Sequence, residues 1–351
     1  MLATPTGVSA VLINGKTLHS VFKISKGKDY KPLNGERART LCNTLKDVKF
    51  IILDEFSMIG CSTLAMINRR CKEATGNFNE DFGGKHILLL GDIKQLPAVK
   101  EYSFFSKTQN SVMGKEGKTL IKNFQKTFFL KTCHRQQDVQ FLNVLDNISE
   151  GKSTIEDYQY LSSRFTSNVS AHEKDSFEDA IRLFATKNEV KHYNLEKLSQ
   201  LKDSVTNTQM PVLKIKARHN CAAAKTAGSD DAEGLEKELY LAKGCKIMLR
   251  TNLWIDKKLC NGTVGRIHDI LYDSKGDFPA VLLCEFDNYD GPSLIPGTKI
   301  VPIKPELRSW IDKKGNNCSR YQFPVTLCYA CSIHKSQGMT LEKVRLNFTA
   351  T

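Results

Sequence analysis

Short apolar runs alternate with amphipathic stretches through the first half of this 351-residue chain. Residues 48–53 and 87–90 predict buried strands, and a stretch with helical spacing follows the first of them and ends at Gly76. This alternation is typical of a parallel sheet flanked by helices, because parallel neighbours need a crossover connection between them. A further helix is predicted from Asp138 to Gly151. The first half is therefore predicted to be an α/β unit.

The second half of the chain changes pattern. Residues 181–185 predict another strand followed by a helix, and residues 222–235, rich in Ala, Gly and Asp, predict a surface loop. Short strands separated by turns come next, and their spacing predicts a small antiparallel barrel. These strands are expected at residues 246–250, 263–271, 280–286 and 298–303. The chain returns to α/β character over residues 325–348.

The first predicted strand ends in two carboxylates, Asp54 and Glu55. Open α/β folds bind ligands at the carboxyl edge of a parallel sheet, and in phosphate-loop NTPases an Asp at this edge holds Mg²⁺. The adjacent Glu is well placed to orient or deprotonate an attacking water. A plain strand end followed by a solvated acidic turn has the same local sequence, so this short motif alone leaves both interpretations open.

A second polar turn, Gly91-Asp92-Ile-Lys-Gln95, directly follows the apolar run at residues 87–90. Gln95 at a sheet edge is within reach of a terminal phosphate. The alternative is an ordinary strand-to-helix turn that Pro97 ends. Two strands that both end in polar turns favour a ligand site more than either strand alone.

The charge of the chain and its last motif both indicate a polyanionic partner. The chain has 51 Lys and Arg against 38 Asp and Glu, a net charge of +13, which points most simply to nucleic acid. Residues 330–341 place His334, Lys335, Ser336 and a glycine in one turn after a strand. Such groups contact phosphate backbones, although a helix-capping turn has a similar sequence.

The cysteines and the apolar runs exclude other classes of protein. Eleven scattered cysteines, most of them in apolar segments, indicate a reducing compartment. The CxxC pair Cys328 and Cys331 has no second pair at zinc-ribbon or zinc-finger spacing. No apolar run approaches the ~18 residues that span a bilayer. We therefore expect no structural metal and no membrane partner.

Taken in order along the chain, the motifs resemble those of the PIF-type 5′-to-3′ DNA helicases of superfamily one. The match spans nearly the whole chain, and although each motif alone is modest evidence, the shared order makes chance similarity implausible. The matching segments are residues 4–7 and 15–20 (single-strand-contacting motif), 53–58 (second motif), 91–97 (third), 134–138 (arginine-bearing fourth), 183–188, 261–265, 322–327 and 332–338 (fifth).

The resemblance implies a fold of two RecA-like parallel-sheet domains, with the antiparallel barrel inserted in the second. Residues 1–130 would form part of the first domain. Residues 131–240 and 324–351 would form the second, and residues 241–323 the inserted subdomain. ATP and Mg²⁺ are the implied cofactors. Asp54 would ligate Mg²⁺, Glu55 would be the general base, Gln95 would sense the γ-phosphate and Arg135 would contact it from the second domain.

The resemblance also implies that the protein binds single-stranded DNA and DNA forks and that it is a monomer. The implied DNA contacts are Thr6, Thr17, His19, His334, Lys335 and Ser336. Gln337 and Gly338 would link these DNA contacts to the nucleotide. Such contacts are independent of base sequence and weakened by salt. The family implies DNA repair, recombination and telomere maintenance in the nucleus, with a mitochondrial location or a viral or mobile-element origin as alternatives.

Two family motifs are absent from the 351 residues. No G-x-x-x-x-G-K-[ST] loop occurs; in its nearest match, residues 10–17, Ala10 replaces the first glycine. Branched Val11 and Ile13 favour a strand over a phosphate-binding turn, so Lys16 is expected in a DNA-facing loop. The arginine-bearing sixth motif is missing too. We therefore expect a helicase core truncated at both termini, with impaired ATP hydrolysis.

Three functions remain open at this point. The first is an ATP-driven helicase, of which the chain is the central portion. The second is a degenerate, ATP-independent protein that binds single-stranded nucleic acid in a basic groove. The third is a helicase region of a mobile element or virus. Hydrolysis of ATP separates the first from the second, whereas salt-sensitive binding to oligonucleotides is common to both.

Overall fold

A computed structural model describes the chain except residues 25–29, 99–100, 135, 230, 233, 274–275, 313–314, 338, 340 and 348–351, and except the side chains of residues 8, 11 and 12. The chain divides into two compact units. The first unit is Met1–Pro5 with Gly15–Glu178, and the second is Thr6–Asn14 with Asp179–Thr351. The sequence placed the division at residues 130–131. None of the described helices is long and apolar enough to cross a membrane.

The first unit contains a four-stranded parallel sheet with the order β2-β1-β3-β4. Its strands are β1 (Leu2–Thr4), β2 (Lys16–Thr17), β3 (Phe50–Leu53) and β4 (His86–Leu89). Ile51 and Leu53 of β3 are fully buried, and burial of each such side chain contributes about 1.5–3 kcal/mol. The parallel α/β architecture predicted for the first half is confirmed.

Strand β4 differs from its prediction as a buried strand. Leu88 and Leu90 are 47% and 42% exposed. Leu88 lies on the same face of the sheet as Phe50 and His86, which are exposed as well, so the described residues leave this face partly uncovered. An apolar run alone does not show whether both faces of a strand are covered.

In the part of the first unit that the structure describes, seven helices and two 3₁₀ turns accompany this sheet, whereas helix α1 (Gly7–Leu12) groups with the second unit. The helices are α2 (Leu18–Val21), α3 (Gly35–Leu45), α4 (Cys61–Thr75), α5 (Val112–Lys122), α6 (Val139–Glu150), α7 (Ile155–Ser163) and α8 (Ala171–Ser176), and the turns are Phe56–Met58 and Asp81–Gly84. The two predicted helices are confirmed as α4 and α6. Gly76 and Gly151 end them with φ of 70° and 67°, a backbone conformation that glycine adopts without strain.

Helices α4 and α5 approach each other closely at Gly117. A Cβ atom built on Gly117 would lie 1.9 Å from the carbonyl oxygen of Cys61. Replacing Gly117 with alanine therefore forces the helices apart, and we expect the free energy of unfolding to fall by about 3 kcal/mol. Denaturant unfolding measures the change.

Lys115 is the matched control, because it is exposed on the same helix. Lys115→Ala is expected to change the free energy of unfolding by less than about 0.5 kcal/mol. If Gly117→Ala behaved like this control, the close approach of α4 and α5 would be wrong.

The second unit combines a small parallel sheet with antiparallel sheets. The parallel sheet has the order β16-β5-β17, and the largest antiparallel sheet has the order β12-β11-β10-β9-β15. The strands are β5 (Ile181–Phe184), β6 (Leu213–Lys216), β7 (Arg218–His219), β8 (Glu238–Leu241), β9 (Lys246–Leu249), β10 (Val264–Tyr272), β11 (Pro279–Phe286), β12 (Ile300–Ile303), β13 (Glu306–Ile311), β14 (Asn317–Gln322), β15 (Val325–Leu327), β16 (Ala330–Ser332) and β17 (Val344–Leu346).

The predicted strands at residues 246–250, 263–271, 280–286 and 298–303 are confirmed as β9 to β12. Their antiparallel character is confirmed as well, and β12 and β15 are the edges of the five described strands. Two smaller antiparallel sheets have the orders β13-β14-β7 and β6-β8. The helical elements of this unit, besides α1, are α9 (Lys187–Ser199), α10 (Ala222–Thr226), α11 (Ile333–Ser336) and a 3₁₀ turn at Ile255–Lys257.

The segment 222–235, predicted as a surface loop, is instead anchored in the core. Ala224, Ala232 and Leu235 have no exposed surface. The fully buried guanidinium of Arg320 on β14 donates hydrogen bonds to three carbonyls of the segment, those of Ala224, Ala227 and Leu235, at 2.7–2.8 Å. The prediction was wrong because an arginine about 90 residues away satisfies these backbone groups.

Candidate functional site

The two polar turns predicted in the first unit lie side by side. The Leu90 amide donates to the carbonyl of Leu53 (2.8 Å), and the Phe56 amide donates to the carbonyl of Leu90 (2.9 Å). The Asp54 amide donates to the carbonyl of Ala3 on the other neighbouring strand (2.9 Å). These bonds hold Asp54, Glu55, Gly91 and Asp92 at one edge of the sheet, which we call the acidic edge.

Two unusual backbone conformations shape the acidic edge. Glu55 has φ 55° and ψ 46°, in the left-handed region, which costs a non-glycine residue about 1 kcal/mol or more and is concentrated at functional sites. Gly91 has φ 148°, and a Cβ atom there would lie 2.8 Å from the Phe56 amide nitrogen. The turn after β4 therefore needs glycine in order to pass the turn after β3.

The acidic edge offers oxygen atoms without protein partners. The Asp54 side chain is half-buried, and its carboxylate makes no hydrogen bond or ion pair with any residue that the structure describes. The hydroxyls of Thr4 and Ser57 are buried and likewise lack partners among those residues. Carboxylate and other hard oxygen ligands suit Mg²⁺, so these residues fit a magnesium–nucleotide ligand.

Asp92 organises the turn that presents Gln95. Its carboxylate accepts from the amide of Lys94 (2.9 Å), and its carbonyl accepts from the amide of Gln95 (3.2 Å). The Lys94 ammonium lies 3.5 Å from Asp146 and 3.6 Å from Glu150 of helix α6. The turn is thereby tied to a helix of the same unit, and Gln95 is exposed beyond the end of β4.

The N-terminal residues predicted to contact DNA fall in both units. Thr17 precedes helix α2, where its hydroxyl accepts from the amide of Ser20 (3.4 Å), and His19 is exposed on that helix. Thr6 belongs to the second unit, and its hydroxyl lies 2.8 Å from that of Ser9. The joint contact of these residues with DNA stays a prediction.

The segment around Lys16 is not a phosphate loop. Lys16 lies in β2 and pairs with Ala3 of β1. The prediction of a strand from the branched residues Val11 and Ile13 is wrong, because residues 7–12 form helix α1. The Thr6 hydroxyl accepts from the amide of Ser9 (3.2 Å), and such an N-terminal bond outweighs the weak strand preference of branched residues.

A cavity of about 900 Å³ lies in the second unit and is rich in lysine. We call it the lysine cleft. Its walls come from α9, from β6 and β8, from α10 and from the turn of α11. Its lysines, all of them exposed, are Lys187, Lys191, Lys216, Lys225, Lys237 and Lys335.

The charge of the lysine cleft is strongly positive. The cleft is lined by six lysines and by two glutamates, Glu236 and Glu238. Glu238 is already paired with Lys214 at 2.9 Å. Lys191, Lys216 and Lys225 form no ion pair with described residues. An opening with this charge attracts polyanions.

The fifth motif joins the lysine cleft through β16 and α11. Ser332 is buried at the start of the turn, whereas His334 and Lys335 are exposed and Lys335 lines the cleft. The hydroxyl of Ser336 is occupied locally, since it donates to the carbonyl of Ile333 (2.8 Å). Gln337 is half-buried.

Asn194 of α9 fixes the strand that leads into the fifth motif. Its side-chain oxygen accepts from the amide of Ala330 (2.8 Å), and its side-chain nitrogen donates to the carbonyls of Ala330 (3.2 Å) and Leu327 (3.3 Å). The sequence analysis did not identify this role. Two predicted site residues, Arg135 and Gly338, lie outside the described residues.

Four lysines of the cleft were also missed: Lys191, Lys216, Lys225 and Lys237. Lys214 and Lys216 alternate with Leu213 and Ile215 along β6, a pattern that predicts one solvated face. Nothing in the local sequence indicates that this face meets α9 and α10. Residues 187–243 contain nine lysines and one arginine against eight acidic residues, so the local charge gave no signal for the cleft.

His219 on the wall of the cleft is held in its neutral form. Burial, and then the positive charges of Arg320, Lys225 and Lys237, lower its pKa below the usual 6.5. Its Nδ1 atom is buried without a partner among the described residues. Since the unfolded chain binds this proton more readily, acidification below about pH 6.5 must favour unfolding.

We therefore expect the free energy of unfolding to fall less between pH 7.5 and pH 5.5 in His219→Gln than in the unmodified chain. Urea unfolding at the two pH values measures this difference, and the other histidines cancel in the comparison. An equal fall in both proteins would contradict the lowered pKa of His219.

Comparison with known proteins agrees with this geometry. The PIF1-like helicase family model matches residues 1–159. The ATP-dependent DNA helicase Pif1 of Campylobacter jejuni is 30% identical over 97% of this chain and 74% of its own length. PIF1 of Xenopus laevis is 30% identical over 98% of this chain and 50% of its own length. Both relatives extend beyond the matched region.

A solved structure supports the fold. The crystal structure of Pif1 helicase from Candida albicans matches with a TM-score of 0.69 and 26% identity, over 98% of this chain and 76% of that chain. This likeness confirms the predicted RecA-like α/β fold. From the sequence matches and this shared fold, the chain belongs to the PIF1-like helicase family.

Proposed function

We propose that this chain is the core of an ATP-dependent 5′-to-3′ DNA helicase. The acidic edge is the observation that carries the proposal: the half-buried Asp54 carboxylate has no partner among the described residues, and the orphaned Ser57 hydroxyl follows in the same turn. Relatives along nearly the whole chain are named ATP-dependent DNA helicases. A nucleotide site is the simplest use of such an edge.

In this proposal the residues of the acidic edge have different roles in ATP hydrolysis. Asp54 holds Mg²⁺, which neutralises phosphate charge when bound. Glu55 orients the attacking water and accepts its proton; its left-handed backbone lies in the turn directly after β3. Gln95 senses the terminal phosphate from the turn that Asp92 organises. Arg135 contributes positive charge to the same phosphate.

The lysine cleft binds single-stranded DNA in this proposal. Its cations contact phosphates, with Lys335 of the fifth motif on one wall. His334 and Ser336 are the neighbours of Lys335 in α11 and contact the same strand of DNA in this proposal. Further contacts to the DNA backbone come from Thr6, Thr17 and His19. The link between the DNA-binding residues and the nucleotide is made by Gln337 and Gly338. Contacts to phosphate are independent of base sequence, which suits a protein that moves along a strand.

The second candidate is an ATP-independent protein that binds single-stranded nucleic acid. One observation favours it: the 351 residues contain no G-x-x-x-x-G-K-[ST] loop, and Lys16 of the nearest match lies in a strand. A nucleotide without such a loop lacks its main phosphate cradle. We therefore propose that this chain alone hydrolyses ATP poorly.

Two assays of the 351-residue chain test these proposals. Fluorescence anisotropy with a labelled single-stranded oligonucleotide should give binding that weakens as salt rises, and ATP hydrolysis should stay at background with and without DNA. Binding that is absent or insensitive to salt would overturn the nucleic-acid site. Hydrolysis that DNA stimulates and Glu55→Gln abolishes would overturn the proposed impairment.

A further inference from the structure

Two cysteines lie close together at the wall of the lysine cleft, Cys318 in β14 and Cys221 just after β7, at the start of α10. Strands β7 and β14 are antiparallel, with His219 opposite Arg320. Two residues further along, the same register places Cys221 opposite Cys318. Their sulfur atoms lie 3.8 Å apart, although the residues are separated by 97 positions in the sequence.

The backbone geometry at this pair suits a disulfide. The amide of Asn220 donates to the carbonyl of Ser319 (3.4 Å), so Cys221 and Cys318 occupy the adjacent pair without backbone hydrogen bonds. In such pairs the Cα atoms are about 4.5 Å apart, which lies within the roughly 4.4–6.8 Å that disulfides span. Small side-chain rotations are sufficient to bring the sulfur atoms together.

The surroundings of the pair give an oxidant access to one sulfur only. Cys221 is half-buried and lines the lysine cleft, whereas Cys318 is buried. The sulfur of Cys221 also accepts from the amide of Ala224 (3.4 Å) at the start of α10. The accessible thiol therefore sits at the junction between the cleft wall and β14.

We propose that Cys221 and Cys318 are a redox-modification site that closes to a disulfide and ties α10 to β14. The oxidant is of the peroxide class. The Cys221 sulfur takes one peroxide oxygen to give a sulfenic acid and releases water. The Cys318 sulfur then attacks the Cys221 sulfur, forming the S–S bond and releasing a second water. Two thiols and one hydrogen peroxide thus give one disulfide and two waters.

This disulfide is reversible and regulatory rather than permanent. In a reducing compartment it forms only under oxidative conditions and is reopened by small thiols. Closing a loop of this length restricts the unfolded chain strongly, so the oxidised protein should unfold at a temperature higher by about 5 °C or more.

Peptide mapping of the unmodified chain after treatment with hydrogen peroxide tests the site without any mutation. Under non-reducing conditions the expected product is a cross-linked peptide that joins Cys221 to Cys318. Its mass should be two hydrogens lower than the sum of the two separate peptides, and dithiothreitol should cleave it. Sulfur atoms that end up only as separate oxidised thiols, or in disulfides to other cysteines, would overturn the proposal.

Variants then assign the thermal shift to this pair. Cys133 is exposed, so Cys133→Ser removes an unrelated reactive thiol and should retain the peroxide-induced rise in Tm. Cys221→Ser should lose that rise. Retention of the rise in Cys221→Ser would show that another pair is responsible.

A third measurement connects the pair to the cleft and rests on the proposed function. Since Cys221 lines the lysine cleft, bound single-stranded oligonucleotide should slow formation of the cross-link several-fold. If the cross-link forms equally fast with and without bound DNA, DNA does not occupy this wall, and the proposed binding surface fails while the dithiol site stands.

Discussion

Glutamine in place of Glu55 should lower DNA-stimulated ATP hydrolysis by about 10²–10⁴-fold in a chain that carries a Gly-rich phosphate loop. This loop and the arginine-bearing sixth motif, which is missing as well, are supplied by joining the corresponding N-terminal and C-terminal segments of a family member to residues 1 and 351. Glutamine keeps the size and hydrogen-bonding shape of the side chain but cannot accept a proton from water. The loss should therefore fall on kcat, with DNA binding unchanged.

Glu36 provides the matched control for this prediction. It is an exposed carboxylate on helix α3 of the same unit, so Glu36→Gln should retain full hydrolysis. Two results would contradict the account. Full activity of the Glu55→Gln enzyme would show that Glu55 is not the general base. Absence of hydrolysis despite both added segments would favour the ATP-independent binding protein.

Reversal of three charges in the lysine cleft should weaken binding of single-stranded DNA by at least about 100-fold at 0.1 M salt. Each phosphate contact on a single strand contributes a slope of about 0.7 to the dependence of log K on log salt. The variant changes Lys191, Lys216 and Lys225 to glutamate, three lysines without ion pairs to described residues. The slope itself should become shallower by about 2. Anisotropy titrations at several salt concentrations measure both quantities.

A second triple variant controls for total charge. Lys46, Lys115 and Lys122 are exposed lysines of the first unit, outside the cleft. Their replacement by glutamate gives the same net charge but should leave the salt slope unchanged. Equal losses of affinity in both triples would show that the overall charge, and not the cleft, binds DNA.

The acidic edge could be predicted because its information is local. An apolar run fixes β3, and the carboxylates that directly follow it must lie at the strand end whatever the rest of the chain does. The same reasoning located the turn with Gly91 and Gln95. Local sequence did not indicate the left-handed backbone of Glu55 or the closeness of the two turns, since both depend on which strands are neighbours.

The lysine cleft could not be predicted as a cleft because its walls come from distant parts of the chain. Lys187 and Lys335 were included in recognised motifs, but Lys216 and Lys225 lie in a strand and a helix that no motif covers. The segment 222–235 was mistaken for a loop for the same reason, as Arg320 anchors it from another strand. Local patterns indicate which face of an element is polar, but not what that face meets.

Photocrosslinking tests the central claim, that the lysine cleft holds single-stranded nucleic acid, most directly. A single-stranded oligonucleotide with 5-bromodeoxyuridine is bound to the unmodified chain and irradiated, and the attached peptides are identified by mass spectrometry. The account predicts attachment in peptides that line the cleft, around Lys191, Lys216, Lys225 and Lys335. Attachment confined to peptides outside the cleft would contradict it.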